Sequence, residues 1–293
     1  MDVMLDSLAP LVVDASAALS HAFWGLLTPA AVFGSLAALV KGRRVFAGIW
    51  QVLSETRVNL LIACFNAVLM APLFSLLFVW MNARLQDNAL YRLSSSVWDG
   101  MPIALVVLAA IFAGDFAGYW RHRLEHTRLL WPAHAVHHSD TRMTWLTLER
   151  FHPINSFTTL MLDNTFLLLL GFPPYALVAN NLVRHYYGYL IHADLPWTYG
   201  KLGAVLVSPA MHRWHHADDA DAFNTNYATV FSVFDRWFGT LRVPGPCLAA
   251  LGVKADMGPG AVGQLTYPLR PSLYRHSAGQ IIRRVRRACK LPV

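Results

Sequence analysis

The stretch MPIALVVLAAIFAGDFAGYWRHRLEH, residues 101–126, decides the fold. From Met101 to Tyr119 its only charged residue is Asp115. At about 1.5 Å of rise per residue, an apolar helix of that length comes close to crossing a bilayer core about 30 Å thick. The run passes directly into His122-Arg-Leu-Glu-His126. Residues four apart on a helix are rotated by only about 40°, so both rings share a face and can reach one ion. A membrane helix that delivers two imidazoles at its end predicts an all-α membrane metalloprotein.

Downstream, His134-Ala-Val-His137-His138 and His212-Arg-Trp-His215-His216 repeat the theme, with rings at i and i+3 on one face and the adjacent ring free to turn to a second ion. Eleven of the 13 histidines lie between His122 and His216. Imidazole binds metal in its neutral form, and its ordinary pKa near 6.5 leaves it neutral at physiological pH. The eight grouped rings exceed one tetrahedral zinc site. Two ions are the simplest accounting.

Upstream, Leu19–Val40 and Leu60–Met81 read as two further spans, giving about three before the histidines. With 55% hydrophobic and only 14% charged residues, the chain departs from soluble domains, of which about 25% is charged. The net charge of +7 is read as topology and headgroup signals, with no nucleic-acid partner. Lys41, Arg43, Arg44 and Arg57 place the loop after the first span inside. The acidic N-terminus with Asp2, Asp6 and Asp14 and the loop with Arg84 and Arg92 then fall outside, and the first span is expected to remain in the mature chain. Residues 157–191 are apolar but broken by Gly171, Phe172, Pro173 and Pro174, which predicts a helical hairpin. Because the hairpin leaves on the side it entered, the flanking histidines meet in a cytoplasmic helical cap holding the two metals. The domains expected are 1–114, the N-terminal membrane region; 115–243, the metal domain with its hairpin; and 244–293. That last part is read as a Pro/Gly loop outside the core and a basic tail, Ile281–Lys290, which forms either a helix on anionic lipid or a solvated one. Cys64, Cys247 and Cys289 imply no disulfide framework. Trp120, Trp131, Trp197 and Trp214 read mostly as interfacial aromatics.

In order and spacing, these motifs resemble the fatty acid hydroxylase and sterol desaturase superfamily of membrane di-iron enzymes, from about Asp115 to Leu241. The markers are Asp115 through His126, Leu130-Trp131 before His134, Arg150-Phe-His152-Pro153, Ile191-His192-Ala193, Ser208 through His216, Asn226-Tyr227 and Asp235-Arg-Trp-Phe-Gly-Thr240. The resemblance implies two irons held by the eight grouped histidines and His192. It also implies O2 as co-substrate and hydroxylation or desaturation of a lipid-like substrate from the bilayer, such as a fatty acyl chain, sterol or carotenoid.

Around these ligands, Asp115 is expected to accept an N–H from a ligand histidine, the alternative being a helix-end charge reaching water. His152 precedes a proline and falls at a helix boundary facing the site, as a ligand or a supporting group. His185 lies two turns before His192, near its face or bonded to a neighbour. Asp235 either supports a ligand or pairs with Arg213 or Arg236, and Asn226 anchors backbone. No nucleotide-binding glycine motif is present, so two electrons must come from an external donor, a ferredoxin or small haem protein. Arg121, Arg123, Arg128 and Arg142 are its expected docking face. Competing readings are a membrane haem protein, a metal-binding or transport protein and a zinc hydrolase.

Overall fold

A computed structural model of the chain describes residues 2–46, 49–86 and 95–274. Its elements are helical, with one isolated bridge, Ala217 to Leu251. Helix α1 spans Asp2–Lys41, α2 Ile49–Phe65, α3 Ala71–Gln86 and α4 Ile103–Glu125. Three stretches are long and apolar enough to cross a membrane: Ala22–Lys41, Ile49–Leu85 and Ile103–Glu125. Their outward faces carry exposed Leu39, Leu73, Leu76, Val79 and Leu108, as a lipid-facing surface requires. The chain is an integral membrane protein.

The second span differs from expectation. It starts at Ile49, not Leu60, and α2 continues into α3 through a π-turn, Asn66–Met70. The reason lies in the polar residues of its first turns. Arg150, fully buried, donates from Nε to Asn59 Oδ1 (2.6 Å) and from Nη2 to Glu55 Oε2 (2.5 Å), while Asn59 Nδ2 donates to Asp140 Oδ2 (3.1 Å). The start of α2 is thus bolted to the histidine-bearing cap, and only its continuation is wholly apolar. Lys41, at the end of α1, pairs with Asp194 just beyond the hairpin.

The expected hairpin is present. Helix α5, Trp131–His138, precedes it, and its outgoing arm is α6, Pro153–Thr158, a second π-turn, Thr159–Asn164, and α7, Thr165–Leu169. The turn closes with the amide of Phe172 on Leu167 O and that of Gly171 on Leu168 O, Gly171 at φ 71° where a side chain would be strained. Prolines 173 and 174 then start α8, Pro174–His192. Helix α8 lies along α4 because two glycines open the way. A Cβ at Gly114 would stand 2.2 Å from Asn180 Oδ1, and one at Gly118 1.9 Å from Arg184 Nη2. Neither hairpin arm is among the three spans, since α8 carries Asn180, Asn181, Arg184 and His185.

Three short helices complete the described chain: α9, Pro209–His215; α10, Val233–Trp237; and α11, Gly260–Thr266. Residues 244–274, expected as a loop outside the core, fold back onto it. Met257, Ala261 and Tyr267 share a buried cluster with Ile62, Ala135 and Val136. The Pro and Gly residues set the turns, but the apolar residues between them bury. Cys64 and Cys247 are free. The basic tail Ile281–Lys290, Cys289, Arg92 and His276 lie outside the described residues, as do the side chains of Asp2, Asp6, Asp14, His21 and Arg44.

Candidate metal centre

Four helix ends deliver the histidines. The last turn of α4 brings His122, with His126 at its cap; α5 brings His134, His137 and His138; α8 ends on His192; α9 brings His212 and His215, with His216 at its cap. Prolines at the starts of α5, α8 and α9 preset the helical backbone, and Ser208 caps α9 by accepting from the amide of Met211 (3.1 Å).

All nine expected rings come together, in two groups. His122, His126, His134, His138 and His215 present ring nitrogens within 4.8 Å of one another, and so do His137, His192, His212 and His216. The groups adjoin, with His138 stacked on His216 at 4.2 Å. Within them Nε2 faces Nε2: His122 to His134 at 2.9 Å, His126 to His215 at 3.2 Å, His137 to His192 at 3.1 Å and His192 to His212 at 3.0 Å.

Proton placement makes this a test of metal binding. His137 Nδ1 faces the carbonyl of Arg150 (3.2 Å) and His192 Nδ1 that of Gly188 (2.7 Å), so each Nδ1 carries the proton and donates. Their Nε2 atoms are then both lone pairs, 3.1 Å apart, with no proton between them. In the other group His122 Nδ1 donates to Tyr227 O (2.7 Å) and His215 Nδ1 to Thr225 O (2.6 Å), which leaves a lone pair on each Nε2, facing His134 and His126. Protonation does not relieve the conflict. Burial, followed by neighbouring imidazoles, holds His134, His137, His138, His212 and His216 well below the ordinary 6.5, and burial brings His215 to about 4. A cation reconciles converging lone pairs. Nitrogens each about 2.1 Å from one ion lie about 3.0 Å apart at right angles, the spacing seen here. The donor set fits metal in both groups.

The supporting residues fall differently from expectation. Asp115 receives no histidine N–H. It accepts the backbone amides of Thr229 (3.2 Å), Val230 (3.0 Å) and Phe231 (2.7 Å), with Arg184 Nε at 3.5 Å, and so fixes the loop whose carbonyl at Tyr227 holds His122. Asp235 pairs with neither Arg213 nor Arg236. It accepts from the amides of Tyr227 and Ala228 and from Thr240 Oγ1, and burial raises it to about 6. Asn226 anchors backbone as expected, donating to Met211 O and Arg242 O. Both ring nitrogens of His152 are engaged, Nδ1 accepting from the amide of Ile154 and Nε2 facing Leu265 O, so it caps α6 outside the groups. His185 bonds the hydroxyl of Tyr189 (2.9 Å) and also lies outside them. Trp131 packs against His126 and His138, beside the larger group. Arg121 is largely enclosed and paired with Glu125 (2.7 Å) and Asp163 (3.0 Å), which removes it from the expected docking face.

Sequence reading missed Glu125 and Asn155. Fully buried, Glu125 places Oε2 3.4 Å from His134 Nδ1, and Asn155 Nδ2 lies 3.3 Å from the same nitrogen. Glu125 stood in the HRLEH motif, and its position before His126 was the available signal.

The histidines form a wall between two cavities. One, of about 680 Å³, is lined by His126, His138, His215 and His216 with Phe223 and Val253. The other, of about 400 Å³, is lined by His122, His134, His137, His192 and His212. Each cavity touches both groups.

Two groups of histidine rings, gathered at the end of a membrane span and on three neighbouring helices, define a class: an integral membrane protein built to hold metal on histidine. Residues 107–240, somewhat under half of the chain, match the family model described as fatty acid hydroxylase. Among its relatives, ornithine lipid hydroxylase OlsE of Rhizobium tropici is 32% identical over 177 residues, covering 59% of this chain and 54% of that one. Human alkylglycerol monooxygenase is 28% identical over 171 residues, 58% of this chain and 36% of the relative. The Delta(7)-sterol 5(6)-desaturase ERG3A of Gibberella zeae is 31% identical over 145 residues, 49% and 40%. The matches thus span about half or less of these relatives' length. No solved structure matches.

Proposed function

We propose that the protein is a membrane di-iron oxygenase that uses O2 and two external electrons to hydroxylate, or in a variant outcome desaturate, a lipid-like substrate, with His122, His126, His134, His137, His138, His192, His212, His215 and His216 as ligands. The observation that carries this reading is the convergence of Nε2 lone pairs whose Nδ1 protons are committed to backbone carbonyls. The hydroxylase, monooxygenase and desaturase names of the relatives support it. Iron on these donors, when bound, supplies O2 activation and removal of hydrogen from an unactivated C–H bond. The chain's own residues do the rest. Backbone carbonyls of Tyr227, Arg150, Gly188 and Thr225 orient four rings; Glu125 and Asn155 hold a fifth; burial keeps the rings neutral and water away.

In this reading residues 115–243 are the catalytic domain, the site faces the cytoplasm, and an acidic electron donor docks against Arg123, Arg128 and Arg142, all exposed. The test is metal analysis and O2 uptake on the purified protein in lipid. About two irons per chain and a lipid product gaining one oxygen or losing two hydrogens are expected, with uptake lost in His137→Ala. A preparation that is active only with zinc, and consumes no O2, would overturn the reading in favour of a hydrolase.

A further inference from the structure

One face of α4 carries Leu105, Leu108, Phe112, Phe116 and Trp120 at spacings of three and four. All but Phe116 are exposed, as on a span that faces lipid. Phe116 is partly buried, and α10 is what covers it: Phe234 and the capping residue Phe238 stand with ring centroids 5.6 and 6.3 Å from its own. Deeper along the stripe, Phe112 meets Phe231, Phe234 and Trp237 at 5.4, 5.0 and 6.4 Å. Helix α10 thus lies where a lipid-facing span otherwise meets acyl chains. Its own outer side is apolar in turn, with Trp237 63% exposed and Phe238 37%.

The segment around α10 descends along α4 and returns. Tyr227 O is at the level of His122 (2.7 Å), Phe231 and Trp237 are at the level of Phe112, and Thr240 Oγ1 is back beside the hydroxyl of Tyr119 (2.9 Å). Exposed Trp120, with the Arg123 guanidinium 5.4 Å from its ring centroid, forms the aromatic and cationic pair of a membrane–water boundary. Phe112 comes eight residues earlier, about 12 Å deeper at helical rise. The backbone between is irregular, yet its amides are met inside the protein. Tyr227 and Ala228 donate to Asp235, and Thr229, Val230 and Phe231 to Asp115. Irregular backbone is tolerated at membrane depth on that condition, whereas a loop in water can leave its amides to solvent.

We infer that residues 227–241 re-enter the bilayer from the histidine side, and that Trp237 and Phe238 lie against acyl chains of that leaflet. The partner of this surface is lipid hydrocarbon, because the patch continues the exposed stripe of a membrane span. The neighbouring turn, Gly200–Ala204, is tied on by Ser232 Oγ, which donates to Gly203 O (2.8 Å), and it widens the patch with Leu202, 65% exposed. The cation of α10, Arg236, lines a separate cleft with Ser208 at the start of α9, towards the histidines and the headgroups.

The experiment uses the full chain, metal-loaded, in phosphatidylcholine nanodiscs containing a lipid with a diazirine midway along one acyl chain. Irradiation, digestion and mass spectrometry then map the adducts. Trypsin cuts after Arg236 and Arg242 and so isolates residues 237–242. The probe is confined to a hydrocarbon core about 30 Å thick, so adducts on 237–242 are expected within roughly threefold of those on Leu105 and Leu108 and about tenfold above those on exposed Leu248. Adducts no more frequent than on Leu248, or labelling of 237–242 by a water-soluble diazirine in place of the lipid one, overturn the inference and put α10 in water. Absence of both labels together with a dimer in native mass spectrometry of the nanodiscs also overturns it, in favour of a second copy of the chain as the partner.

Discussion

The five-histidine and four-histidine groups are built from the same motif but held differently. In the larger group His122 and His215 are fixed by carbonyls, His134 by Glu125 and Asn155, and His126 by the side chain of Asn224. In the smaller, His137 and His192 have carbonyl partners, whereas the buried Nδ1 atoms of His212 and His216 have none. Identical spacing therefore does not make equivalent sites. The partner on the far nitrogen sets a ring's tautomer and orientation, and loss of such partners typically costs about 10–100-fold in metal affinity.

The largest test of this contrast removes one ligand from each group. His122→Ala and His192→Ala are each expected to leave about one ion per chain and no measurable turnover, as read by metal analysis and O2 uptake. Chelation of the intact protein should release metal in two phases, and the faster should vanish in His192→Ala. Two ions retained in both variants would dissolve the two-group division.

Next in size is Arg150→Ala. Removing one partner of a buried, hydrogen-bonded ion pair costs about 3–5 kcal/mol, and here it would also loosen the segment whose carbonyl holds His137. Unfolding in detergent should show that loss, with metal lost preferentially from the four-histidine group. An unchanged midpoint would mean that α2 does not brace the cap.

Glu125→Gln should act on the other group alone, lowering its metal affinity about tenfold while the four-histidine group binds as before. Competition titration with a chelator of known affinity checks it.

The smallest effect per residue concerns pH in the metal-free protein. His215 is held at about 4 when folded against about 6.5 unfolded, so between those values the unfolded chain binds more protons. The stabilising contribution is present above pH 6.5 and is lost as pH falls towards 4. Thermal unfolding of metal-free protein across that window should show the midpoint dropping with acid, and a midpoint that rises instead would contradict it.

The histidine groups were legible in the sequence because their geometry is local: i, i+3 and i+4 spacing states which rings share a face before any tertiary contact forms. The hairpin was legible for the same reason, since Gly171, Pro173 and Pro174 act on their own backbone. What holds the rings was not. The bond from His122 to Tyr227 joins residues 105 apart, and no periodicity carries that information. Asp115 shows the limit clearly. Its position seven residues before His122 placed it on the correct face, but the amides of residues 229–231 arrive there first and leave it no histidine to orient. Arg150 was visible in Arg150-Phe-His152-Pro153 without a role, because its partners Glu55 and Asn59 belong to a helix whose start hydropathy alone puts at Leu60.

That helix has a metric consequence. The stretch Ile49–Leu85 runs for 37 residues, about 55 Å at helical rise, against a hydrocarbon core of about 30 Å. Nearly half of it must therefore stand clear of the hydrocarbon, and the part tied to Arg150 works as a mast of set height. The distance of the histidine centre from the lipid surface is then a property of the chain, counted in helical residues, and the membrane's own thickness enters only through where the mast is stepped.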